Sequence, residues 1–183
     1  MQNDVGSVIR ALADQADAFI FFIQALAVIV GLWFITEALL RLVTAAKQGR
    51  GYGQNWGMSS PLVGAVIGSC LINFGFTIST AVQSIFGDQV EYSQIVSYSK
   101  QVNYGMGEWK LVIQGVAVLV AVFGVYAVFE GFMFWKKCAD GKSGEDYFRK
   151  GLTHILGGAA AVNIVGTIEL LTSSANINLH NYF

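Results

Sequence analysis

Glu37 stands four residues before Arg41, the spacing at which a carboxylate and a guanidinium meet on one helix face. Glu130 precedes Lys136 and Lys137 in a second apolar run. A carboxylate inside such a run is a functional candidate by default, because holding it in hydrocarbon is costly. Two roles are open to it, proton relay and ion pairing. Glu37 and Glu130 both lie near the basic ends of their runs, and Glu169 lies near the opposite end of its own. None stands alone at mid-depth. Pairing of Glu37 with Arg41, and of Glu130 towards Lys136 and Lys137, is therefore the expected role.

Four uncharged amides are also placed within the apolar runs: Gln24, Asn73, Gln114 and Asn163. At that depth an amide bonds across a helix contact or lines a polar lumen in an oligomer. Catalytic patterns are missing. His154 and His180 sit apart, and no zinc-protease, nucleophile-elbow or metal-spaced Cys/His motif occurs. The glycines at 49, 51, 53 and 57 follow no strand and precede no Lys-Ser/Thr pair, so they make a turn rather than a phosphate cradle. Cys70 lies within an apolar run and Cys138 in a basic loop, so no disulfide is expected. No enzyme activity, cofactor or metal is expected.

The elements that carry these residues are membrane helices. The chain is 54% hydrophobic and 13% charged, against about 25% charged in soluble domains. Its net charge of −1 gives no electrostatic basis for binding nucleic acid. Residues 4–17 have helical apolar spacing and read as a short interfacial helix. Their acids, Asp4, Asp14 and Asp17, do not make a signal peptide, so the first apolar run is expected to be an uncleaved anchor. Four spans follow, over about 18–43, 61–86, 111–135 and 152–172. The first and third are strongly apolar. The second and fourth are weaker and rich in glycine and asparagine. Gly64 and Gly68 form a G-x-x-x-G, and Gly157, Gly158 and Asn163 lie in the fourth span. Such helices need partners, so oligomerisation is expected through Gly64, Gly68, Asn73, Gly157, Gly158 and Asn163. Pro61 suits the first turn of its helix. Residues 87–110 have no clear period.

The chain also repeats. I-Q-A-L-A-V-I-V from Ile23 matches I-Q-G-V-A-V-L-V from Ile113 at an offset of 90, which pairs Gln24 with Gln114. The same offset pairs Gly68 with Gly158, Asn73 with Asn163 and Thr77 with Thr167. After a three-residue slip, Gly31 pairs with Gly124 and Glu37 with Glu130. The expected fold is thus an all-α membrane protein of four transmembrane helices, arranged as two tandem hairpins over 1–90 and 91–183. An even number of spans per unit makes the repeats parallel, not inverted. Eight of the eleven Lys and Arg residues fall in the two hairpin loops: Arg41, Lys47, Arg50, Lys136, Lys137, Lys142, Arg149 and Lys150. The positive-inside rule makes both loops cytoplasmic and both termini, with the central segment 87–110, periplasmic or external.

The stretch H-I-L-G-G-A-A-A-V-N-I (His154 to Ile164), behind a basic loop and in a paired-hairpin layout, resembles the small membrane proteins of type IVB conjugation and secretion systems, the TraQ type and the IcmC/DotE type. That resemblance implies a non-enzymatic subunit of a transfer apparatus in the bacterial inner membrane, with both termini periplasmic and other subunits as partners. Each hairpin is also similar to conjugative pilins of the VirB type. This second likeness implies a filament subunit, with the eight basic residues lining a lumen or holding a phospholipid headgroup. The pilins carry one hairpin and usually a cleaved leader, whereas this chain carries two hairpins.

Overall fold

A computed structural model describes residues 2–47, 59–87, 108–141 and 144–174. Every element among them is a helix. These are α1 (Gln2–Lys47), α2 (Ser59–Ile72), α3 (Phe74–Phe86), α4 (Glu108–Ala139), α5 (Gly144–Val162) and α6 (Ile164–Ser174).

Residues 2–47 hold no proline, and their apolar residues are mostly good helix formers, so α1 runs unbroken. At 1.5 Å per residue its 46 residues reach about 70 Å, well beyond a hydrocarbon core of about 30 Å. The separate interfacial helix expected over 4–17 is therefore the first part of α1. Among the described residues two stretches are long and apolar enough to cross a membrane, Gln15–Lys47 in α1 and Gly115–Ala139 in α4. A third crossing arises only if α2 and α3 count as one span, and that pair is bent by 95°.

The weak second and fourth spans are thus not continuous helices. Asn73 leaves helical geometry (φ −98°, ψ 45°) between α2 and α3, and a break at Asn163 separates α5 from α6. Asparagine favours such breaks because its side chain competes for local backbone groups. Each break frees a carbonyl, and a threonine one turn later takes it up. Thr77 Oγ1 lies 2.8 Å from the Cys70 carbonyl and 3.0 Å from that of Asn73. Thr167 Oγ1 lies 2.7 Å from the Ala160 carbonyl and 2.9 Å from that of Asn163. In each case one hydroxyl hydrogen is shared between two acceptors.

Within each half the helices pack antiparallel, and glycines set the closest approach. A Cβ added at Gly31 would lie 2.6 Å from the Gly68 carbonyl oxygen, and one added at Gly68 would lie 2.7 Å from that of Gly31. Gly124 and Gly158 show the same relation, at 2.7 Å both ways. Gly68 and Gly158, expected at an oligomer contact, are therefore used inside the chain. Gly64 faces the Lys136 stem and Ala38, while Gly157 has open space around it. The fully buried centre comprises Leu71, Phe74, Ile78, Val82, Val125, Val128 and Val162. Helix α3 reaches it through Phe74, Ile78 and Val82, and after the bend it packs on α5 as well as on its own hairpin. In lipid such a core is held by close packing, since leaving hydrocarbon for hydrocarbon gives no hydrophobic gain. Large exposed side chains such as Phe21, Trp33, Phe76 and Phe123 would be a liability in water. Facing lipid, they are in their own solvent.

Candidate functional site

The residues with most chemistry converge where the basic ends of α1 and α4 meet the start of α2. Helices α1 and α4 run parallel here, and the four-residue spacings Glu37/Arg41 and Lys136/Asp140 put two charges from each on the facing sides. Arg41 pairs with Glu37 on its own helix. It also reaches Asp140 Oδ1 at 2.9 Å and donates to Ser60 Oγ at 3.1 Å. Lys136 Nζ lies 2.6 Å from Asp140 Oδ2 and 3.3 Å from Glu37 Oε2. Two cations and two carboxylates form a neutral four-membered network, with Ser60 as its polar floor.

Lys136 is only 6% exposed, and its ammonium lies 5.2 Å from the centre of the Phe34 ring. Its position is set by both halves of the chain. Burial by itself would push Asp140 up, but hydrogen bonds and charges from Lys136 and then Arg41 outweigh it and hold the carboxyl below the usual range. Asp140 is followed by Gly141 at φ 80°, a left-handed position that turns the chain out of α4.

Spacing along the chain pairs Glu37 with Arg41, as the structure does, and directs Glu130 towards Lys136 and Lys137. The structure sends Glu130 elsewhere, to His154 Nε2 at 3.8 Å. His154 Nδ1 lies 2.8 Å from the Lys150 carbonyl, so it carries the proton in that bond, and the Glu130 contact is an ion pair only when both ring nitrogens are protonated. Ser60 and Asp140 were not singled out from the sequence. The i,i+4 spacing of Lys136 and Asp140 was the available signal.

The basic residues divide by surroundings. Arg41 and Lys136 are paired with carboxylates. Lys137 lies 5.2 Å from the Phe134 ring centre and 5.9 Å from that of Tyr147, and Lys150 lies 5.8 Å from Tyr147. Arg149 makes an exposed pair with Glu145 at 4.0 Å. Lys47 is exposed. Arg50 and Lys142 lie outside the described residues, as does nearly all of 87–110. Trp135 stacks on Phe148 at 5.9 Å and donates to its carbonyl at 3.3 Å, placing an aromatic pair at this end.

The amides separate as well. Asn163 is buried, and its Oδ1 accepts the Gly166 N–H at 3.3 Å. Asn73 is exposed and forms no such side-chain cap. Gln24 is half-buried on α1, and the Gln114 side chain lies outside the described residues.

Towards the other end, α1 and α4 part to leave an apolar groove of about 480 Å³. Phe22, Ile23 and Leu26 form one wall, and Val122, Phe123 and Phe129 the other. Its surroundings suit hydrocarbon, not a polar substrate. Among the described residues no group of His, Cys, Asp and Glu could hold a metal ion. No family model, curated protein or solved structure matches the chain.

Proposed function

We propose that this chain is a non-enzymatic integral membrane subunit of a type IVB conjugative DNA-transfer or secretion apparatus, the class its sequence resembles. In this reading it is built of two tandem parallel hairpins that cross the membrane four times, with the α2–α3 and α5–α6 pairs as broken spans. It sits in the inner membrane with basic loops in the cytoplasm and both termini in the periplasm, oligomerises, and contacts other subunits.

The observation that carries the reading is the matched anatomy of the halves. Each has a glycine–glycine contact, at Gly31/Gly68 and at Gly124/Gly158, to which the second half adds Gly131/Gly151, and one asparagine break stapled by a threonine. That anatomy suits a scaffold repeated in space. Deleting the coding sequence in its host tests the role. Transfer should fall to background and return with the intact gene, and unchanged transfer would remove the proposal.

A second reading is a duplicated pilin-like subunit with a phospholipid at its basic end. Lys137 and Lys150, held over aromatic rings without a carboxylate partner among the described residues, favour it. Electron microscopy of sheared surface material decides, since only a pilin appears in filaments. A third, a small channel, draws on the bent α2–α3 pair with Thr80, Gln83 and Ser84 exposed along α3. Ion flux through liposomes holding the purified protein would support it.

A further inference from the structure

From the repeat we infer that a second copy of the chain docks head to tail, with the outer face of α4 in one copy against the outer face of α1 in the next. The inference rests on the tandem-repeat and oligomer reading above and gives that contact its geometry.

Inside the chain, α1 and α4 turn different faces towards each other, across the apolar groove at one end and in the charged network at the other. Helix α1 presents Ile23, Phe34, Glu37 and Arg41. Helix α4 presents Val122, Phe129, Lys136 and Asp140. The offset of 93 that pairs Gly31 with Gly124 and Glu37 with Glu130 carries each face onto the other helix. The α1 face maps to Val116, Ala127, Glu130 and Phe134 on α4. The α4 face maps to Ile29, Thr36, Val43 and Lys47 on α1.

The mapped α1 face is uncovered, and the mapped α4 face is open at Val116 and part-covered by α5 at Glu130 and Phe134. Val116 is 55% exposed, and the Glu130 side chain is 38% exposed. Ile29 is 69% and Val43 50% exposed, and Thr36 and Lys47 are exposed too. The second set recurs every seven residues from 29 to 43 and ends four residues on, the period of a helix–helix seam. Charge fits as well. One face carries Glu130, whose side chain stays 38% exposed beside His154, and the other ends at exposed Lys47, which makes no ion pair among the described residues. A second copy is the one partner certain to carry the complementary face, because the first half of every chain supplies it.

Such a contact joins two different faces, so it cannot close on itself as a two-fold dimer. It builds a ring if the rotation closes and a filament if it does not. Successive hairpins around the assembly would then be near-equivalent, half of their contacts lying within chains and half between them.

Paired cysteines in membranes test the geometry. Within the chain Glu37 meets Lys136, and the mapped pair is Glu130 of one copy with Val43 of the next. In a chain with Cys70→Ser and Cys138→Ser, Glu130→Cys plus Val43→Cys should give an oxidised ladder of dimers, trimers and larger species. Either cysteine alone should give none. Dimers from one single-cysteine variant would mean a two-fold contact and overturn the proposal. So would an oligomer by native mass spectrometry that yields no ladder, and that outcome leaves the membrane-subunit role intact. A monomer at membrane concentrations overturns the docking and the oligomer clause together. Charge exchange adds an arm that needs no cysteine. Glu130→Lys should weaken association at least tenfold, and adding Lys47→Glu should restore it. A double variant as weak as the single one also counts against the contact.

Discussion

Gly31 and Gly68 touch backbone to backbone, so that a single methyl on either would fall within 2.7 Å of the other's carbonyl oxygen. The contact joins α1 to α2, and Gly124 with Gly158 repeats it between α4 and α5. Gly68→Leu or Gly158→Leu should therefore part a hairpin within the monomer. Overpacking typically costs about 1–3 kcal/mol, and a backbone neighbour cannot move aside as a side chain can. Thermal unfolding in detergent should shift down for both, while Gly157→Leu, which points into open space, should stay within about 0.5 kcal/mol of the parent.

The threonine staples give a second test. Thr77→Val keeps the shape and removes the hydroxyl that donates to the Cys70 carbonyl. Thr167→Val does the same at Ala160. Hydrogen bonds of this kind in membranes average about 0.6 and reach about 1.7 kcal/mol. Each valine variant should lose stability in that range in a denaturation series, with the two losses alike. A loss at one break and none at the other would separate the halves functionally.

Lys136 should matter more than any other basic residue. Removing it leaves Glu37 and Asp140 facing each other with Arg41 alone between them. Breaking a fully buried ion pair costs about 3–5 kcal/mol. Both carboxylates here are partly exposed, so about 1–3 kcal/mol is expected for Lys136→Ala. A double-mutant cycle of Lys136→Met with Glu37→Gln should show coupling, and additive losses would dissolve the network.

Acid should loosen the same contact. The carboxyl of Asp140 is held below its usual range in the folded chain, so its contribution is fully present above the unfolded pKa of about 3.9. It is lost as pH falls through the lower, folded value. Stability measured from pH 5 downwards should decline in the parent, and Asp140→Asn should be less stable at pH 5 with a shallower decline. Parallel curves would mean that Asp140 is not part of the acid response.

Much of this was readable before any packing was known, and the misses have particular causes. The Glu37/Arg41 pair follows from spacing on one helix, and the structure contains it. Glu130 has the same look but lies near His154, because α5 and not the end of α4 covers its face. Asn73 and Asn163 match in sequence and both break a helix. Yet one is exposed and the other buried, because α3 bends across to the second hairpin. A single helix written out in order cannot show which neighbour arrives beside it.

The sequence by itself determined the helical class, the membrane-like composition and the apolar runs. Those are sums and periods over neighbouring residues, and hydrocarbon rewards them locally. The tertiary structure alone decided that the weak spans break at their asparagines and that Gly68 and Gly158 are used within the chain. It also decided that Arg41 and Lys136 turn inward to Glu37 and Asp140. Each of these depends on residues far apart in the chain arriving within a few ångströms, and hydropathy carries no record of that.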